Sequence, residues 1–153
     1  MTKNIFLEED YQTILRRINQ LTPESQRQWG KMNVTQMLCH TADQLRLAMG
    51  FIEVKDQSNF ISRNFTKWMA LRMEAPKGKV ETLEEINQVE GGGTPSVSFE
   101  DDKINLIKLL NAFKDKEDTY EWSPHPYFGK LSKEQWGRLA YMHLTHHLEQ
   151  FGV

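Results

Sequence analysis

The chain has 153 residues, 39% of them hydrophobic and 26% charged, with a net charge of −2. That is the length of one domain around one core, so residues 1–153 are read as a single unit, and the composition excludes a disordered chain. The balanced charge leaves no broad basic surface, so neither nucleic acid nor a membrane is an expected partner.

The first helical signal runs from about Leu7 to Leu21, where Leu7, Tyr11, Ile14, Ile18 and Leu21 share one face. Thr22-Pro23 ends it, because the residue before a proline is pushed out of the helical region. A second helix is expected from Asn33, with Gln36 completing a capping box and Gly50 as the stop. Its apolar stripe is Val34, Met37, Leu38, Thr41, Leu45 and Ala48. Asn59 to Met73 reads as a helix with Ile61, Phe65, Trp68 and Met69 inward and Arg63, Lys67 and Arg72 on another side. Such a pattern also suits a helix lying on a membrane, but a cationic outer face over a packed inner one is the commoner arrangement.

Pro76 and Gly78 break that pattern. Gly91 to Pro95 reads as a flexible loop and not a phosphate cradle, since no G-K-[ST] follows and no apolar strand precedes it. A further helix is expected from Ser98 or Phe99 to Lys114, with Ile104, Ile107, Leu110 and Phe113 inward. Ser123 to Gly129 is a turn-rich connector. Ser132 with Gln135 forms a second capping box, opening a last helix that continues to about Phe151. With no repeat and no convincing strand pair, four or five helices imply an all-α bundle.

Cys39 is the only cysteine, which excludes an internal disulfide and suits a reducing compartment. Met1 to Asp10 carries acids where a signal peptide needs a basic and then apolar start. No apolar run approaches the roughly 20 residues that span a bilayer. A cytoplasmic protein is expected.

The last helix holds His143, His146 and His147. At about 100° per residue from Trp136, His143 falls near −20° and His147 near +20°, in the middle of the expected buried face. Gln150 falls near −40° and His146 near −80°, at the margin. Two imidazoles four residues apart can bind one ion, although no glutamate adjoins the first and the motif is not H-E-x-x-H. The plainer explanation is a pair of hydrogen-bonded core histidines. His40, on the second helix toward one edge of its stripe, is the natural third donor, and Asp43 one turn on is placed to orient an imidazole.

Three stretches carry a resemblance. They are Trp29-Gly30-Lys31-Met32-Asn33-Val34-Thr35-Gln36-Met37-Leu38-Cys39-His40, then His125-Pro126-Tyr127-Phe128-Gly129-Lys130-Leu131, then Trp136-Gly137 through His143-x-x-x-His147-x-x-Gln150-Phe151-Gly152. Together they resemble the DinB/YfiT-like superfamily of metalloenzymes, in a branch known only as a domain of unknown function. The resemblance implies a DinB-like four-helix bundle, here with an extra helix or long insertion at about Phe51 to Thr94. It also implies a metal held by one histidine of the second helix and two of the last, which are His40, His143 and His147. Members of the superfamily often bind nickel or zinc, and some are thiol-dependent transferases or isomerases.

Three neutral histidines leave an ion its charge and an open position, the pattern of a catalytic rather than a structural site. Such an ion supports hydrolysis or transfer of a small-molecule thiol, with zinc or nickel expected and iron or copper also suited to imidazole. The alternative is a non-catalytic, metal-stabilised binding or stress-associated module. No catalytic residue is assigned, and His125 and Gln150 are secondary candidates. His125 is read first as a packing or capping group before the last helix and second as an acid or base over the pocket. Gln150 is placed to contact a ligand histidine or water. Cys39, about 100° around the helix from His40, is read as a small buried hydrophobe. A homodimer is compatible with a bundle of this size.

Overall fold

The computed structural model describes residues 2–73 and 82–153. The expected break at Pro76 and Gly78 lies outside the described residues. Helix α1 is Glu8–Gln20, α2 is Val34–Ala48, α3 is the short Lys67–Ala70, α4 is Phe99–Lys114 and α5 is Lys133–Glu149. Among the described residues the only β pairing is an isolated bridge between His125 and Gly129, so the fold is all-α. No described helix is long and apolar enough to cross a membrane.

The helix starts follow local rules. Asn33 and Ser132 each accept from the backbone N–H three residues on, while the Gln36 and Gln135 side chains reach back, so both capping boxes are closed. Ser98 caps α4 in the same sense by accepting from the Asp101 N–H. Gly50, at φ 78°, follows α2 in the left-handed conformation that a glycine adopts without strain. Helix α5 ends at Glu149, two residues earlier than expected, with Gln150 as its cap.

One core cluster joins Ile14 and Ile18 of α1, Met37, Leu38 and Leu45 of α2, Leu106, Leu110 and Phe113 of α4 and Trp136, Ala140 and Leu144 of α5. Helix α2 packs on α4 and α5, and α1 packs on α5. Helices α2 and α5 run antiparallel. The C-terminal end of α5 meets the chain before α2 through Gln28 N–H to Gln150 O, 2.6 Å. At the other end, Ser123 donates its N–H to Ala48 O and accepts from Trp136 Nε1–H on its own carbonyl.

Two expected faces are corrected. In α4 the inward side chains are Leu106, Leu110 and Phe113, while Ile104 is exposed and Ile107 only partly buried. Repeated steps of three residues drift by about 60° each, so Ile104, Ile107, Leu110 and Phe113 cannot share one narrow stripe.

The larger correction concerns Asn59 to Met73. The helix there is interrupted by a π-helical stretch, Ser62–Thr66, before α3. Ile61, Phe65 and Trp68, expected inside, are 66%, 61% and 52% exposed, and only Met69 of that set is partly covered. The segment and the residues just before it touch the body through two hydrogen bonds, Gln57 N–H to Pro126 O and Arg138 Nε–H to Leu71 O, and through the Arg63 side chain lying along Gly129.

Candidate metal centre

The antiparallel seam between α2 and α5 sets three imidazoles against one another. On α5, His143 and His147 are one turn apart and project side by side. Across the seam His40 projects from α2, and it is buried, 3% exposed, rather than at the edge of its stripe. The buried side of α2 includes His40, Thr41 and Asp43 as well as the apolar stripe, because α2 is covered by both α4 and α5.

The three ring nitrogens converge. His40 Nε2 lies 3.0 Å from His143 Nε2, and His147 Nε2 lies 3.1 Å from the same atom. Candidate ligand atoms of all three residues lie within 4.8 Å of one another.

The outer nitrogens fix how two of the rings are protonated. His40 Nδ1 is 3.0 Å from the Ile86 carbonyl and His147 Nδ1 is 2.8 Å from Gln150 Oε1. Both oxygens can only accept, so each Nδ1 carries its hydrogen and each neutral ring turns an Nε2 lone pair inward. Burial pushes all three histidines below the usual imidazole range, and for His143 the neighbouring His147 and His40 push the same way. The rings are therefore held neutral, the form that ligates metal.

These residues fit a divalent ion. Two inward lone pairs face His143 Nε2, and a single N–H there can satisfy only one of them. A cation between the rings satisfies all three, and tetrahedral bonds of 2.0–2.1 Å put ligand nitrogens about 3.3 Å apart, close to the spacing seen.

The three residues differ in burial. His143 retains partial solvent exposure while its Nδ1 is buried, and His40 and His147 are closed over. The α5 face explains this. Gly137, Leu144 and Leu148 are buried together with Trp136 and Ala140, so the buried arc is centred about 60° from Trp136 and not on it. His147 lies inside that arc and His143 at its margin. The N-terminal segment fills the Gly137 side: a Cβ there would come within 2.2 Å of Asn4 Oδ1 and 2.4 Å of the Phe6 ring.

Gln150 is buried, and Gly30 makes room for it. At φ 84°, Gly30 would place a Cβ 2.7 Å from Gln150 Nε2. The contact with His147 is thus built in from the Trp29-Gly30 stretch as well as from α5. Trp29 packs edge-on to His146, 4.9 Å between ring centroids, beside His147.

Asp43 does not orient an imidazole. Fully buried, it accepts from Thr94 N–H at 2.7 Å, Thr94 Oγ1–H at 2.6 Å and Arg46 at 2.7 Å. It thereby anchors the Gly91 to Pro95 loop, expected to be flexible, onto α2. That loop follows two 3₁₀ turns, Glu84–Ile86 and Gln88–Glu90, which carry Leu83 and Ile86 into the core and the Ile86 carbonyl to His40. Sequence reasoning missed this acceptor because a main-chain carbonyl leaves no mark in the residue pattern. The one available signal was the Leu83-x-x-Ile86 pair ahead of the glycines.

His125 is partly buried and does not join the three-ring cluster. Its Nδ1 accepts from the Tyr127 and Phe128 N–H groups, at 3.1 and 3.2 Å, and its ring stacks on Phe128. Burial lowers its pKa to about 4. In this position it closes the turn before α5, and it borders a surface cleft of about 410 Å³ with Glu53, Asp56 and Ser123. Cys39 is buried beside Asp102, its thiol pushed up to about 12 chiefly by desolvation, which removes it as a nucleophile at neutral pH.

Over residues 5–152 the chain matches the model of a family described as a protein of unknown function (DUF1569). No curated protein and no solved structure matches it.

Proposed function

The chain belongs to that family of unknown function, and from this premise we propose that it is a divalent-metal protein with a DinB-like bundle, acting as a metal-dependent enzyme on a small molecule. One observation carries the proposal: three neutral imidazoles, His40 and His147 buried and His143 partly so, aim their Nε2 atoms at one point, with two of the lone pairs locked inward by Ile86 O and Gln150 Oε1. Ring-to-ring pairing alone does not satisfy the cluster, because one N–H on His143 Nε2 leaves one of the two inward lone pairs without a donor.

His40, His143 and His147 would hold the ion, with zinc or nickel the best suited to an all-imidazole set in a reducing compartment. A divalent ion bound by three neutral ligands keeps its full charge and supplies Lewis acidity to whatever occupies its remaining position. The protein's own contribution is to keep the rings neutral by burial and to hold two of them in one tautomer. Three neutral ligands leave at least one position on the ion, which favours chemistry over a purely structural ion, and hydrolysis or thiol transfer is the class proposed.

The test is elemental analysis of tag-free protein, as purified and after reconstitution with zinc or nickel. About one equivalent per chain is expected, and less than about a tenth of an equivalent of any transition metal would sink the proposal. Turnover of a panel of small thiols and electrophiles, lost in His143→Ala, is the expected sign of catalysis.

A further inference from the structure

Two of the three imidazoles have an oxygen behind them, and the third has none. His143 Nδ1 is buried without a hydrogen-bond partner among the described residues. Gln44 Oε1 is in the same condition. Both are expensive states for a polar atom, and they are chemically complementary: a ring N–H needs an acceptor and an amide oxygen needs a donor.

Their placement in the fold matches. Gln44 follows His40 by four residues, so it lies one turn further along the same face of α2. Because α2 and α5 are antiparallel, a step from His40 to Gln44 corresponds on α5 to a step from His147 toward Ala140. Gln44 is therefore level with the turn of α5 that ends at His143. Thr145 Oγ1 is also buried without a partner, but it lies about 200° around α5 from His143 and faces elsewhere. Trp122 Nε1, the remaining such atom, is a donor and cannot serve a ring N–H.

We propose that Gln44 is the positioning residue for His143, its Oε1 accepting from His143 Nδ1–H directly or through one buried water once Nε2 carries an ion. This rests on the metal reading above and deepens it. Without an ion, His143 can instead hold its hydrogen on Nε2 and donate to one of the two inward lone pairs, which leaves Nδ1 and Gln44 Oε1 unpaired as observed. With an ion, the hydrogen must sit on Nδ1, and Gln44 supplies what Ile86 O and Gln150 Oε1 supply to the other rings. Every ligand then has an oxygen acceptor behind it, the arrangement that fixes ring orientation and ligand basicity at metal sites.

The experiment compares wild type, Gln44→Met, Gln44→Glu and His147→Ala in three measurements: zinc affinity by chelator competition, the visible spectrum of the cobalt-loaded protein, and the melting temperature of the metal-free protein. Gln44→Met keeps the volume and removes the acceptor. It is expected to weaken zinc binding roughly 10- to 100-fold and to shift the cobalt spectrum. The metal-free melting temperature should stay unchanged or rise, because an unpaired buried oxygen has been removed. Gln44→Glu, which restores an acceptor, is expected to recover the affinity.

Zinc affinity within about twofold of wild type in Gln44→Met overturns the assignment. So does a loss of affinity that comes with an equally destabilised metal-free protein and is not rescued by Gln44→Glu. A wild type that takes up no zinc overturns the metal reading and this proposal together. Uptake that is lost in His147→Ala but intact in Gln44→Met overturns the assignment of Gln44 alone.

Discussion

The α2–α5 seam and the segment from Asn59 to Met73 are mismatched to their surroundings in opposite directions. The seam buries His40, Thr41, Asp43, His147 and Gln150, whereas the segment leaves Phe60, Ile61, Phe65, Trp68 and Met73 in solvent. Both are helical and both show an apolar periodicity, so local pattern does not separate them. What separates them is the number of elements that close over each. Two further helices and the 3₁₀ turns enclose α2, while the segment lies against a loop and one arginine. Burial is conferred by the neighbours, and it gives the seam histidines their neutral state.

The largest expected effect breaks the seam side of this comparison. His147→Ala removes one inward lone pair and should abolish tight zinc binding. If zinc binds the folded form only, wild type at a free concentration a thousandfold above Kd gains about 4 kcal/mol, and the variant gains nothing. Melting curves with and without zinc check this. An equal zinc-induced rise in both proteins would show that the ion binds elsewhere.

The next effect tests whether burial alone keeps an imidazole neutral. His125 is suited to this because it lies outside the ligand set. Its pKa falls from 6.5 to about 4 on folding, through desolvation. The unfolded chain therefore takes up a proton first as pH drops. The stabilisation is complete above pH 6.5 and is lost as pH falls from 6.5 to about 4, a difference of about 3 kcal/mol. His125→Asn keeps an acceptor for the Tyr127 and Phe128 N–H groups but does not titrate. Denaturant unfolding of the metal-free protein across this range should show a slope shallower by up to about one proton than in wild type. Parallel slopes would mean that His125 is not desolvated as the fold implies.

How far the sequence reached follows from the same contrast. The capping boxes at Asn33 and Ser132 and the pairing of His143 with His147 were legible because each depends only on residues within one turn. The position of His40 was not legible from its own helix, since its burial comes from α5 and the Ile86 turn. The resemblance supplied it. The centre of the α5 face was misplaced because Asn4 and Phe6, more than 130 residues away, fill the Gly137 side. Asp43 looked like a partner for an imidazole only because nothing local announces Thr94 and Arg46 as its partners.

The smallest expected effect bears on the segment. In α1 and α5 an apolar face at helical spacing is a stability determinant, and Ile14→Ala or Leu144→Ala should cost about 2–5 kcal/mol. The same spacing in Ile61, Phe65 and Trp68 should carry almost none. These side chains are more than half exposed, and their mutual contacts, such as the stacked Phe65 and Trp68 rings at 6.4 Å, are made within the segment. Phe65→Ser and Trp68→Ser should each change the unfolding free energy by no more than about 0.5 kcal/mol, read by urea denaturation at a concentration where the wild type is monomeric. Trp68→Ser also removes the ring beneath Arg72, 4.8 Å from its centroid, but an exposed pair of this kind adds at most about 1 kcal/mol and the arginine regains water. A loss of several kcal/mol in either variant would mean that the segment is packed in solution. An apolar face and a covered face would then be the same thing even where the two differ most in this fold.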